Sequence, residues 1–318
     1  MKPIVKNHLT KILAISILLL LSPELFATTL LIPRTDGSNM RVYLSTPQKE
    51  SFPVVVLLQG SVCESSWPMF NWTQGPLLAA GISVVAIEKY GLDNTSHSCP
   101  QAYLEHNSIQ QRILDHVQLV SYLRANLPGW NKKIGWAGNS EGGQVGSLVA
   151  PLIPETSAVV MLASGGGMTM SQELPLIFTK LMRRQGATPL AIKNQMDDIQ
   201  AHYLEIHANP IWSKEWLSDG KAARNTYKYW DSILWIKALP LLENLNIPIY
   251  VAHGTEDTSS AFESSQLIAD RFKELGKTNL TFKPYPGLEH NFSDLKGVSH
   301  QQEVLGDSIN WLVTTLLR

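Results

Sequence analysis

Cysteine is scarce: a chain of 318 residues holds two, Cys63 and Cys99. They form no C-x-x-C pair and no Cys/His zinc spacing, so neither a disulfide-dense scaffold nor a zinc module is implied. An excess of one charge sign is also missing, with 26 Lys+Arg against 27 Asp+Glu and a net charge of −1. Binding to nucleic acid draws on a basic excess to neutralise phosphates, and nucleic acid is therefore not an expected partner. There is no H-E-x-x-H, no G-x-x-x-x-G-K and no G-x-G-x-x-G after a strand, so no cofactor and no metal is implied. Gly165-Gly166-Gly167 follows a strand pattern but lacks the dinucleotide-binding spacing. What is present, 44% hydrophobic and 17% charged residues, is the composition of a chain that folds around a core.

The N-terminus reads as a targeting segment. Lys2, Lys6 and Lys11 lead into the apolar run Ile12 to Leu21, which Ser22-Pro23-Glu24 interrupts before Leu25-Phe26-Ala27. A basic start, a short apolar middle and a small residue at the end are the grammar of a secretory signal peptide, here residues 1–27. The run is shorter than the roughly 20 residues that span a bilayer, so cleavage is expected rather than anchoring. The mature chain, 28–318, is then periplasmic or secreted, with no membrane span. Oxidising compartments permit disulfides, and a Cys63–Cys99 bridge is expected, with two buried thiols or a reactive thiol as the alternatives.

Beyond the leader, short β-rich runs alternate with helical patterns, which predicts an α/β fold with a mostly parallel sheet flanked by helices. An antiparallel entry is expected around Thr29 to Ile32 and Met40 to Leu44. Buried strands are expected at Val54 to Leu58, Ile82 to Ile87, Ile134 to Ala137, Ala158 to Leu162, Ile249 to Ala252 and Leu280 to Lys283. Residues 108–126 place Ile109, Ile113, Val117, Val120 and Leu123 on one helical face, and a last helix is expected near 302–317. Residues 165–245 carry no strand pattern, only helix formers punctuated by Pro175, Gly186, Pro189 and Pro210. So long a structureless loop is unlike a compact domain, so a helical cap inserted over one end of the sheet is expected.

The sharpest motif is Gly138-Asn139-Ser140-Glu141-Gly142-Gly143, which falls between the strand Ile134 to Ala137 and a helical pattern over Gln144 to Ala150. This is G-x-S-x-G at a strand-to-helix turn, where a strained serine is held out above the sheet and glycines two residues either side avoid collision. The helix N-terminus, including the N–H of Glu141, then points at any oxyanion formed on a substrate. Further on, Ile249 to Ala252 runs into His253-Gly254-Thr255-Glu256-Asp257, and Leu280 to Lys283 leads to Gly287-Leu288-Glu289-His290-Asn291-Phe292. Serine, acid and histidine follow in the order Ser, Asp, His, each just past the C-terminal end of a strand, the edge where open α/β sheets bind ligands.

On these motifs the mature chain resembles the α/β-hydrolases. The resemblance implies Ser140 as nucleophile, His290 as base and Asp257 as the acid that orients it. The H-G-x-x-D spacing lands on Asp257 rather than the neighbouring Glu256, and His253 reads as a structural residue behind the acid turn. The second oxyanion donor in such folds follows the third strand, usually in His-Gly-x; here Gln59-Gly60-Ser61 stands there and the N–H of Ser61 is the candidate. A Cys63–Cys99 bridge would lie beside this loop, as a device that preorganises it or as plain stabilisation.

In detail the motifs resemble dienelactone-hydrolase-like esterases and the catalytic domains of prolyl-oligopeptidase-type serine peptidases. The short stretch between the expected cut and Val54 has no room for the propeller that gates the large peptidases. Dienelactone hydrolases proper use cysteine where this chain has Ser140. The resemblance therefore implies an exported serine hydrolase of a small carboxylic ester, with a peptidase or amidase on short peptides, or a binding protein that keeps the fold, as alternatives. Trp212, Trp216, Trp230, Trp235, Tyr227 and Tyr229 make the 165–245 segment aromatic. Packing is the expected role of most of them, and an acyl pocket wall the role of the rest.

Overall fold

The computed structural model describes residues 27–218 and 223–318. The expected leader, Ala27 apart, lies outside the described residues. In chain order the elements are β1 (Thr28–Pro33), β2 (Asn39–Ser45), β3 (Phe52–Leu58), α1 (Trp67–Ala80), β4 (Ser83–Ile87), α2 (Gln101–His106), α3 (Ile109–Asn126), β5 (Trp130–Asn139) and α4 (Glu141–Val149). There follow β6 (Thr156–Leu162), α5 (Met170–Arg184), α6 (Pro189–Ala208), α7 (Tyr227–Leu234), α8 (Leu239–Leu242), β7 (Ile249–Gly254), α9 (Phe262–Glu274), β8 (Leu280–Tyr285) and α10 (Gln301–Leu316).

The strands form one sheet in the order β1-β2-β4-β3-β5-β6-β7-β8. β2 runs antiparallel to both β1 and β4, and every other pairing is parallel. This is the expected mostly parallel sheet with an antiparallel entry. Its central strand β3, Phe-Pro-Val-Val-Val-Leu-Leu, is buried at every position. Unbroken apolar runs of this kind belong to parallel strands that are covered on both faces. Accordingly two buried clusters lie against the sheet. One joins Val54, Ile134 and Val251 to α3, α4, α9 and the helices between β6 and β7, and the other joins Val55, Val160 and Ala252 to α1 and α10.

Local chemistry explains the helix boundaries. Ser108 caps α3 by accepting the Gln111 N–H at 3.2 Å, and the helix gives way to Leu127, ahead of Pro128 and Gly129. Thr169 and Gln172 form a reciprocal capping box at the start of α5. Pro175, expected as a break, instead sits inside α5. Proline there removes the hydrogen bond to the carbonyl four residues back, and the freed carbonyl of Ser171 accepts the Tyr203 hydroxyl of α6 at 3.1 Å. Pro189 opens α6 at a position where its missing N–H costs nothing. Between β6 and β7 lie only helices, apart from an isolated bridge between Glu215 and Thr226, so among the described residues this segment adds no strand to the sheet. No described helix is long and apolar enough to cross a membrane.

Candidate active site

β5 runs to Asn139 and α4 starts at Glu141, so a single residue, Ser140, makes the turn; the helix begins earlier than the Gln144 expected from the sequence. Ser140 has φ 51° and ψ −130°, a strained conformation for a residue with a side chain. Its N–H is tied to the Leu162 carbonyl of β6 at 2.8 Å. The flanking glycines are required by space: a Cβ on Gly138 would overlap the Gly142 backbone, and one on Gly142 would overlap the Leu58 carbonyl of β3.

The acid and histidine lie at the same sheet edge. Asp257 follows β7, and its Oδ1 accepts the N–H groups of Ser259 at 2.7 Å and Ser260 at 2.9 Å. Its Oδ2 faces His290 Nδ1 at 2.8 Å and His253 Nε2 at 3.0 Å. Burial pushes the Asp257 carboxyl up, but hydrogen bonds from His253 and His290 outweigh it and hold the group well below the usual carboxylate range. An ionised carboxylate accepts a hydrogen bond, so Nδ1 is the His290 ring nitrogen that carries the proton facing Asp257. The His290 side chain is 27% exposed, whereas that of Asp257 is fully buried. Glu256 turns elsewhere: it pairs with Arg184, which also meets Glu289 at 2.5 Å. His253 lies buried behind the Asp257 turn, with its Nδ1 on Ser265 Oγ at 2.6 Å.

Ser61 and Glu141, the two residues expected to offer oxyanion N–H groups, line one cavity together with Ser140. Gln59 braces the loop after β3 through Nε2, which donates to the carbonyls of Glu64 at 2.9 Å and Ser65 at 3.2 Å. The Glu141 side chain, next to Ser140 in the chain, is buried and paired with Arg112. Burial works against its ionisation, but the charges of Arg112 and Lys89 prevail and hold it below its ordinary value. Cys63 and Cys99 are joined in a disulfide with their Cα atoms 5.0 Å apart, tying the loop after β3 to the segment after β4.

Three buried charges here carried no signal in the sequence: Lys89, Arg112 and Glu173. Glu173, on α5, accepts the N–H of Gly166 at 3.3 Å and that of Ala261 at 3.2 Å, so it fastens the inserted helices to the loop that carries Asp257. Burial raises the pKa of its carboxyl. Each of the three has at least one partner far away along the chain.

Two cavities meet at Ser140. The first, about 310 Å³, lies under the inserted helices and is lined by Leu174, Ile177 and Phe178 of α5 and by Tyr229, Trp230 and Ile233 of α7. The second, about 640 Å³, contains His290 and runs between Trp72 of α1 and Leu305 of α10. Both volumes suit small-molecule ligands. Of the tryptophans and tyrosines named for the inserted segment, Tyr229 and Trp230 thus reach the first cavity. Trp216 packs instead, with its carbonyl accepting Trp230 Nε1 at 2.6 Å.

This architecture, with its sheet order and strand-to-helix serine turn, is the α/β-hydrolase fold. Est1E from Butyrivibrio proteoclasticus, solved with ferulic acid bound, matches it with a TM-score of 0.63 over 91% of this chain and 100% of that one, at 17% identity. The acylaminoacyl peptidase of Pyrococcus horikoshii matches with a TM-score of 0.60 over 92% of this chain and 41% of its own, at 13% identity. In sequence, 48 residues are 42% identical to acyl-protein thioesterase 1 of Aspergillus fumigatus, a stretch of 15% of this chain that spans only 20% of that relative. No family model matches the chain.

Proposed function

We propose that the protein is a serine hydrolase that cleaves small carboxylic esters through an acyl-enzyme on Ser140. The observation that carries this reading is the strained Ser140 turn opening on the cleft that holds His290, whose Nδ1 sits 2.8 Å from Asp257 Oδ2. His290 takes the Ser140 proton as the hydroxyl attacks the substrate carbonyl, and Asp257 stabilises the imidazolium that results. The N–H groups of Ser61 and Glu141 receive the negative oxygen of the tetrahedral intermediate. His290 then returns the proton to the leaving alcohol, and water releases the acid by the same steps.

The helices between β6 and β7 act as a cap, and the apolar cavity beneath them receives the acyl group. The cleft between α1 and α10 takes the alcohol. The ester reading is supported by the local similarity to a thioesterase and by the ferulic acid bound to the structurally similar Est1E. A peptidase or amidase is the second reading, favoured by the shared architecture with an acylaminoacyl peptidase. Export through cleavage of residues 1–27 is part of the proposal, and the Cys63–Cys99 disulfide fits an oxidising compartment.

A fluorophosphonate probe tests the chemistry: the protein labels at Ser140, and Ser140→Ala abolishes both labelling and turnover. An unlabelled wild type overturns the assignment and favours a binding protein with this fold, and labelling that survives Ser140→Ala overturns Ser140 as the nucleophile. Parallel assays with p-nitrophenyl esters and peptide anilides separate the two substrates, and faster anilide cleavage selects the peptidase.

A further inference from the structure

Two buried cations grip the loop after β3. Lys89, two residues beyond β4, donates from Nζ to the Gly60 carbonyl at 2.5 Å and to the Val62 carbonyl at 2.6 Å. Arg112 of α3 donates from Nη2 to the Gln59 carbonyl at 2.7 Å and pairs with Glu141. Lys89 is only 6% exposed. A buried ammonium is expensive unless its donors are satisfied, and here main-chain carbonyls of the oxyanion loop satisfy them. Glu141 from α4, Arg112 from α3, Glu88 beside it and the Tyr103 ring of α2 at 5.8 Å complete its surroundings. Burial draws its pKa down to about 7, against the raising effect of Glu141.

The identity of one carbonyl decides what this grip does. The Gly60 C=O and the Ser61 N–H belong to the same peptide group. A trans peptide is planar, with its N–H pointing opposite to its C=O, so whatever fixes the carbonyl also aims the N–H. A positive charge on the carbonyl oxygen also draws electrons from the amide and makes its N–H a stronger donor.

We infer that Lys89 is a positioning residue of the oxyanion hole, holding the Gly60 carbonyl so that the Ser61 N–H points to the oxygen that becomes negative on attack by Ser140. This inference rests on the serine hydrolase reading above. Arg112 supports the same loop one peptide earlier and links it through Glu141 to the other donor. The two halves of the hole, which come from β3 and α4, are thereby joined beneath by side chains.

The test compares wild type, Lys89→Met and Lys89→Gln by steady-state kinetics on a p-nitrophenyl ester and by inhibition with an aryl trifluoromethyl ketone. The serine adduct of that ketone carries a negative oxygen where the oxyanion forms. Loss of a whole donor costs about 10²–10³-fold in kcat, so misaiming one in Lys89→Met is expected to cost roughly 10–100-fold. KM stays within about twofold, and the ketone inhibition constant rises in step with the fall in kcat/KM. Lys89→Gln keeps an N–H donor without the charge and falls between the two. A folded Lys89→Met with unchanged kcat and ketone affinity, or with its loss confined to KM, overturns the inference. If Lys89→Met does not fold, Lys89→Gln decides by the same criteria, with a threshold of about threefold in kcat. A wild type that neither turns over ester nor takes up fluorophosphonate overturns the hydrolase reading together with this one. An active wild type with indifferent Lys89 variants overturns this inference alone.

Discussion

His253 Nε2 stands 3.0 Å from Asp257 Oδ2, the same oxygen that faces His290 Nδ1 at 2.8 Å. One carboxylate oxygen serves two imidazoles, one sealed in the interior and one open to the cleft. Through Ser265 of α9, His253 ties the acid to a packed helix. Replacing it with phenylalanine removes that tie and lets the carboxylate drift.

For His253→Phe, unfolding in denaturant should show a loss of about 1.5–3 kcal/mol, the usual value of a hydrogen bond to a charged group. Steady-state kinetics should show kcat reduced roughly tenfold with KM held, because the acid orients the base rather than the substrate. A destabilised variant with wild-type kcat would confine His253 to a structural role.

Asp257→Asn should lower kcat by roughly 10³–10⁴-fold, the size of effect seen when an amide imposes the wrong tautomer on a catalytic histidine. It should also change the response to acid. The Asp257 carboxyl is held below its ordinary value in the folded state, so its ionised form contributes stability that is complete above the unfolded pKa of about 4. That contribution is lost as pH falls through the folded value. Thermal melts between neutral pH and pH 3 should therefore decline more steeply for wild type than for the variant.

The disulfide closes a loop with a sequence separation of 36. Its loss in a Cys63→Ser/Cys99→Ser double variant should destabilise the fold by about 2–4 kcal/mol. If the bridge also preorganises the oxyanion loop, kcat at a temperature where both proteins are folded should fall as well. Unchanged kcat with a lowered melting temperature would leave stabilisation as its whole contribution.

Phe178 lines the cavity under the inserted helices. Phe178→Ala lengthens that cavity and should raise the kcat/KM ratio of octanoate over butyrate esters by about tenfold, the scale on which hydrophobic pockets discriminate chain length. If the preference stays put, the acyl group sits in the cleft between α1 and α10 instead.

The sheet was readable from the chain because each strand is a compact apolar run bounded by turn residues, as with Val54 to Leu58 and Ile249 to Ala252. The placement of Ser140, Asp257 and His290 just past strand ends was readable for a related reason: each sits in its own local pattern, and no knowledge of distant partners is needed to see it. Lys89 and Arg112 offer no such signature. Lys89 meets Gly60 across 29 positions and Arg112 meets Gln59 across 53, and in a sequence both look like ordinary solvated charges. Pro175 misled because its usual effect is local, whereas the hydroxyl that rescues its helix arrives from Tyr203, on the next helix. Local rules fail wherever a tertiary partner replaces a lost local one.

Leu174, Ile199, Tyr203 and Trp230, all between β6 and β7, belong to the same buried cluster as Val54 and Ile134 of the sheet. For anyone redesigning this protein, that continuity rules out treating the segment as an exchangeable module, because transplanting another lid would strip one face of the sheet of its covering. Selectivity has to be rewritten one wall residue at a time, in a library confined to the cavity-facing positions of α5 and α7, with the scaffold around them left intact.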